Sequence, residues 1–225
     1  MEGLDGSGKS TQIQLLKDYL AGNNIKYQYL HFPRTDSTSP VYGEMVANFL
    51  KGEFGDLNTV HPYLVSLLYA GDRKNAAEEI SEWLNEGYLV LLDRYVYSNM
   101  AFQGAKCNSK ETKQKLRQWI FSLEYEYYKI PKPQLSIFLH ADFDFISKNL
   151  TEARKGDDRN YLQGKEDIHE SSLDFQKQVE REYLDLINEN NDFHLIRCID
   201  DSGKTLPPPD IHQKVIAMLF AQHIL

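Results

Sequence analysis

Near its start the chain reads Gly3-Leu4-Asp5-Gly6-Ser7-Gly8-Lys9-Ser10-Thr11. The pattern is G-x-x-x-x-G-K-[ST], the phosphate-binding P-loop, and no other segment limits the fold as strongly. Its glycines let backbone N–H groups turn inward and converge on phosphate oxygens. Lys9 adds a point charge for the outer phosphates, and the Ser10 hydroxyl is placed to ligate Mg²⁺. A helix beginning at Lys9 points its positive end at the same anion. A Gly- and Ser-rich turn capping a helix is the plain alternative. The amphipathic helix that follows, in an α/β chain, favours the phosphate reading. A P-loop ordinarily follows a buried strand, yet only Met1 and Glu2 precede it.

The rest of the chain alternates strands with helices. A first helix is expected from Lys9 to Ala21, with Ile13, Leu16 and Leu20 on one face and Gly22 as its stop. Ile25–Phe32 reads as a strand, Val41–Leu50 and Tyr63–Leu84 as helices. Tyr88–Leu92 is a continuous apolar run, the mark of a strand buried on both faces. Glu111–Tyr128 is helical, and Leu135–Leu139 and Phe193–Cys198 are further strands. Asp210–Ile224 closes the chain as a helix with Ile211, Val215, Met218 and Leu219 on one face. This is an α/β fold, a parallel sheet flanked by helices with ligands at the carboxyl ends of the strands. One domain over residues 1–225 is expected. Residues 154–170 are polar and read as a mobile lid within it.

Charge and composition narrow the partners. A net charge of −8 argues against a general nucleic-acid or anionic-membrane surface, so phosphate-binding cations must be concentrated locally. No stretch is apolar enough to span a membrane. Cys107 and Cys198 lack metal-type spacing and read as reduced thiols, so the expected location is cytoplasmic.

Several residues fall where such a fold presents chemistry. Asp93-Arg94 ends the apolar strand: the carboxylate can hold Mg²⁺ through water, and the guanidinium can clamp a phosphoryl group. Arg34 ends the preceding strand and points to a second anion pocket. Tyr69 and Arg73, four apart on a helix, share a face and could stack on a base and bond its edge. Arg154, Lys155, Arg159 and Lys165 crowd the lid among Asp157, Asp158, Asp167 and Glu170. A basic lid can place cations on a transferring phosphoryl and exclude water. Surface ion pairs, core packing and a solvated mixed-charge loop are the plain counterparts of these readings.

With these pieces in order, the sequence closely resembles the thymidylate kinases. The matching stretches are residues 2–11, Phe32-Pro33-Arg34, residues 68–73 and residues 93–104, in the family's order. The resemblance implies the three-layer P-loop kinase fold, Mg²⁺ with ATP as donor, dTMP as acceptor and a homodimer. It implies that Asp5 bonds the acceptor's 3′-hydroxyl and that Arg94, with Arg34 nearby, binds its phosphate. It implies that Tyr69 stacks on thymine, Arg73 donates to a carbonyl and Asn99 reaches the base edge. By the same resemblance Phe32, Ser98, Phe102 and Gln103 would complete the acceptor pocket. Ser10 and Asp93 would hold Mg²⁺, with Asp167 and Glu170 near the acceptor or metal.

Some members carry a catalytic arginine in the P-loop; here Gly6 and Ser7 stand there. The catalytic cations are then Lys9, Arg94 and the lid's Arg154 and Arg159, the bacterial arrangement. Phe102 stands where many members have Tyr, and two further departures carry weight. His140 replaces a frequent Asp and reads as structural. The first strand, central in this fold, is all but missing, so apolar edges are expected on both its neighbours. The expectation is a chain boundary or start codon set too late. The expected reaction gives dTDP and ADP. A kinase for another pyrimidine nucleotide, or a non-catalytic nucleotide-binding paralogue, are the alternatives.

Overall fold

The computed structural model describes residues 1–57, 59–151, 167–169 and 172–225. Among these residues four short strands are joined by helices in the expected alternation: α1 (Lys9–Gly22), β1 (Tyr27–His31), α2 (Tyr42–Leu50), α3 (Pro62–Asn85), β2 (Leu89–Asp93), α4 (Val96–Gly104), α5 (Lys110–Phe121), β3 (Ser136–His140), α6 (Phe143–Thr151), α7 (Leu173–Glu189), β4 (Phe193–Arg197) and α8 (Pro208–Ala221). A π-helical turn, Ser122–Tyr127, continues α5. The long helix expected over 111–128 is therefore two pieces. Helices α4, α6 and α7 lie outside the expected set.

β1 runs parallel to β2, with Tyr27 opposite Leu89 and His31 opposite Asp93. β3 runs parallel to β4, with Ser136 opposite Phe193 and His140 opposite Arg197. Met1 and Glu2 stand between these pairs. The Met1 amino group donates to the Leu92 carbonyl (2.6 Å), and the Arg94 N–H donates to the Met1 carbonyl (2.9 Å). On the other side the Glu2 N–H donates to Ile137 (2.7 Å), and the Leu139 N–H donates to Glu2 (3.0 Å). Two residues thus bond both central neighbours at their carboxyl ends, where the P-loop begins.

The expected apolar edges are only half realised. Ile137, Phe138 and Leu139 of β3 are buried, whereas Leu89, Val90 and Leu92 of β2 are half-buried. The run at residues 88–92 is therefore less enclosed than its composition implies.

Helices flank the strands in two groups. α1 packs on α8, tied by the Gln12 side chain donating to the Pro208 carbonyl at 2.9 Å. α4 packs against α3, α5 and α7, with α2 against α3. Ile13, Leu16 and Leu20 of α1 and Ile211, Val215 and Leu219 of α8 enter the main core as their spacing predicts; Met218 is only partly buried. No helix among the described residues is long and apolar enough to cross a membrane.

Candidate active site

The P-loop turns at Gly6 and Gly8, both in the left-handed region at φ 81° and 88°, where a side chain would strain the backbone. Gly3 is needed for space: a Cβ there would lie 2.7 Å from Ser7 Oγ and 3.3 Å from the Leu139 carbonyl. Lys9 folds back over the loop and donates to the carbonyls of Gly3 (3.2 Å) and Leu4 (3.0 Å). Burial, with Arg94 close by, pushes its ammonium down to about 8 against the pull of Asp5, Asp93 and Glu2. Ser10 and Thr11 are exposed in the first turn of α1, and Asn149 from α6 braces the loop by donating to the Gly6 carbonyl at 2.8 Å.

Asp93 and Arg94 sit beside this loop because the end of β2 bonds the Met1 carbonyl. Arg94 adopts a left-handed backbone, φ 62°, a strained conformation for a non-glycine residue that clusters at functional sites. Its Nη2 donates to Asp5 Oδ1 at 2.6 Å, and its Nη1 to Ser98 Oγ at 3.2 Å. Burial opposes this charge, but Asp5, Tyr183, Asp93 and Glu2 outweigh it and hold the guanidinium protonated. Burial also works against the Asp93 carboxylate. A hydrogen bond with His31 Nδ1 (3.0 Å) and the charges of Lys9, His31 and Arg94 reverse that, pulling it down to about 2. Asp93 Oδ1 is buried with no partner.

Beneath Arg94 lies a carboxylate with no role assigned from sequence. Glu2, 1% exposed, accepts from the Tyr95 N–H (2.8 Å), Tyr183 OH (3.2 Å) and Ser98 Oγ. Ser98 and Tyr183 are 2.7 Å apart. Ser98 thus joins Arg94 to the central strand stub.

The expected second anion pocket centres on Arg34. Its Nε donates to Asp72 Oδ1 (2.9 Å), its backbone N–H to Asp72 Oδ2 (2.8 Å), and its Nη2 to the Asp72 carbonyl (2.8 Å) and Asn75 (2.9 Å). Only Nη1 makes no hydrogen bond among the described residues. Phe32 is fully buried against Tyr95, behind this arginine.

The expected base pocket is polar at its floor. Arg73 grips Glu124 with two bonds, Nε to Oε2 at 2.5 Å and Nη2 to Oε1 at 2.7 Å. Asn99 Nδ2 donates to Glu124 Oε1 (3.0 Å) and to the Ser66 carbonyl (3.2 Å). Asn99 Oδ1, Ser66 Oγ and both polar atoms of Gln103 are buried without partners. Such groups call for a ligand or water. Tyr69 stands half-buried nearby, its phenol raised by burial and by Asp167.

Phe102 closes another wall, its ring 5.0 Å from the Arg94 guanidinium and 5.0 Å from His169. Asp167 accepts from the His169 N–H at 2.7 Å, which sets it near this wall. Burial keeps His169 well below the usual imidazole range and Lys106 down to about 7.

The structure therefore brings together the P-loop, Asp93, Arg94, Ser98, Asn99, Phe102, Gln103, Tyr69, Arg73 and Asp167. Arg154, Arg159 and Glu170 lie outside the described residues. His140 pairs with Glu180 at 2.9 Å, in keeping with a structural role. Sequence reasoning missed Glu2, Glu124, Asp72 and Tyr183. A usable signal existed for Tyr183: Phe175, Val179, Tyr183 and Leu186 recur at helical spacing and are all buried.

The family model described as thymidylate kinase matches residues 1–205. The chain belongs to the thymidylate kinase family. A solved structure of thymidylate kinase from Candida albicans matches with a TM-score of 0.72 and 26% identity, covering 99% of this chain and 90% of that one. That enzyme is described as having a broad substrate specificity and a novel structural element. Membership in the thymidylate kinase family carries the activity, ATP-dependent phosphorylation of dTMP, and makes this chain a nucleotide-binding transferase of nucleotide biosynthesis. Neither comparison favours another pyrimidine acceptor or a non-catalytic paralogue.

Proposed function

We propose that phosphoryl transfer runs between donor phosphates held on residues 3–11 and an acceptor phosphate held on Arg94 and Arg34, the whole chain acting as one kinase domain. The observation that carries this reading is the 2.6 Å bond from Arg94 to Asp5. It sets the acceptor-side guanidinium against a side chain of the donor loop, so both phosphates meet within one site.

The chemistry asks for positioning more than for proton transfer, because the acceptor phosphate is already an anionic nucleophile. Lys9 exchanges its two carbonyl acceptors for donor phosphate oxygens. Arg94 exchanges Asp5 for the acceptor phosphate, leaving Asp5 for the sugar 3′-hydroxyl. Arg34 is locked by Asp72 and offers Nη1 to the same phosphate. Tyr69 stacks on the base, Phe102 walls the sugar, and Arg73, Asn99 and Gln103 face the base edge.

The Ser10 hydroxyl and the orphaned Oδ1 of a firmly ionised Asp93 are hard oxygen donors that fit Mg²⁺. Held by these two groups with ATP, the ion would supply neutralisation of phosphate charge. Arg154 and Arg159 are proposed as the lid cations that meet the transferring group, because the P-loop carries Gly6 and Ser7 where an arginine would otherwise serve. Two free thiols, Cys107 and Cys198, fit a reducing compartment, and the cytoplasm is the proposed location. A homodimer is proposed from the exposed apolar residues of α2 and α3.

Steady-state ADP release with dTMP tests the site. Arg94→Ala is expected to lower kcat/KM for dTMP by roughly 10²–10³-fold, the usual loss of one charge-stabilising donor. Arg94→Lys should recover only part, since it lacks the planar fork. Arg154→Ala should lower kcat more than nucleotide affinity. Unchanged kcat in both alanine variants would sink the assignment.

A further inference from the structure

We propose that Glu124 is a positioning residue that makes the acceptor pocket select a 4-oxo pyrimidine over a 4-amino one. The inference rests on the assignment of this pocket to the acceptor base. Its starting point is the π-helical turn Ser122–Tyr127, which delivers Glu124 to the pocket floor with no exposed surface. Such turns recur at functional sites.

An ionised carboxylate only accepts hydrogen bonds. Glu124 takes two from Arg73, through Nε and Nη2, and one from Asn99. Arg73 is left with Nη1, which makes no hydrogen bond among the described residues. Asn99 is left with one orientation. Its Nδ2 lies between two acceptors, Glu124 Oε1 and the Ser66 carbonyl. Turning the amide over would set Oδ1 against both. Oδ1 therefore remains as a buried, unpartnered acceptor. Arg73 Nη2 and Asn99 Nδ2 meet at the same oxygen of Glu124, so the remaining donor and acceptor belong to one small patch.

That patch offers the N–H donors of Arg73 Nη1 and the C=O acceptor of Asn99. A 4-oxo pyrimidine offers the complement, an O4 acceptor beside an N3–H donor. A 4-amino pyrimidine offers an amino donor beside an N3 acceptor and mismatches at both positions. Gln103 has both amide atoms unpartnered and can turn to suit either base, so it does not decide between them. The sign of the recognition is set by Glu124, which itself need not touch the base.

The test compares kcat/KM for dTMP and dCMP in the wild type and in Glu124→Gln, with the KM for ATP measured alongside. Glutamine offers Arg73 one acceptor in place of two, and an amide N–H turned toward Asn99 leaves the Ser66 carbonyl as the remaining acceptor that holds the orientation of Asn99. The dTMP-to-dCMP ratio is expected to fall at least about tenfold while the KM for ATP holds, because mispaired buried polar groups dominate such discrimination. An unchanged ratio in an active variant would overturn the role of Glu124 and leave the acceptor assignment standing. A wild type with no dTMP-dependent ADP release would remove the acceptor assignment itself.

A substrate-side measurement covers a variant that fails to fold. Replacing N3–H by C–H, in 3-deaza-dUMP, should weaken competition against dTMP at least about tenfold relative to dUMP. Equal competition by the two would reject Asn99 Oδ1 as a base acceptor, and with it the inference.

Discussion

Lys9 is held in the free protein by two carbonyls of its own loop, in a site that burial makes hostile to charge. Its pKa of about 8 in the folded chain lies below the ordinary 10.5. Between those values the unfolded chain binds the extra proton, so this group adds stability as pH rises from about 8 to 10.5, and below about 8 the fold carries the buried charge at full cost. ATP phosphates favour the charged form and raise the pKa. Binding at pH 8.5 should therefore take up protons, and affinity should fall as pH climbs through 8 toward 9. Calorimetry in buffers of different ionisation enthalpy reads this directly. No net proton uptake at pH 8.5, with affinity flat from pH 7 to 9, would reject the exchange. Lys9 and Arg94 were legible because their motif and strand-end positions announce them. Glu2 was not: its role exists only where the first strand stub meets Ser98 and Tyr183, far apart in sequence.

At the scale of elements, the helices that carry site residues are held by close approaches that composition does not display. Gly71 lies in α3 between Tyr69 and Arg73. A Cβ there would fall 2.2 to 2.5 Å from three ring atoms of Tyr42 on α2. The glycine thus lets α2 lie against the helix that holds Tyr69, Asp72 and Arg73. Gly71→Ala should cost about 1–3 kcal/mol through overpacking, seen as a lower Tm in thermal melts. Adding Tyr42→Leu should recover much of the loss, because the two sites share one contact. A Tm equal to wild type would show that α2 and α3 can part freely. The same scale shows what periodicity hides. The segment over residues 111–128 reads as one helix, but the chain widens into a π turn after Phe121, and that turn carries the buried Glu124. The extra residue changes which side chain faces the pocket without disturbing the hydrophobic pattern.

Across the whole molecule, the alternation of strands and helices and the position of Asp93-Arg94 at the end of a strand were legible, since both follow from local patterns. The join between the two strand pairs was not, because Met1 and Glu2 are too short to read as a strand and link the pairs through four backbone bonds. The oligomeric state is a second property that local patterns state ambiguously. The apolar segment 63–68 can serve a core or an interface, and the structure divides it. Val65 and Ser66 are fully buried, while Leu64 is 58% exposed. α2 packs on α3, and Val41 just before α2 (64% exposed) and Met45 within it (38%) add to the apolar surface of this helix pair. A second copy of the chain is the proposed cover, since burying such side chains contributes roughly 25 cal/mol per Å² of apolar area. Light scattering should then give twice the 26.1 kDa chain mass. Leu64→Glu should shift the protein toward the monomer, because an unpaired carboxylate at an interface costs several kcal/mol and each 1.4 kcal/mol is tenfold in association. Its melting curve at low concentration should stay close to wild type, since Leu64 contributes little to the monomer's own core. A wild type that scatters as a monomer at every concentration, or a Leu64→Glu variant that stays dimeric, would move the interface off α3.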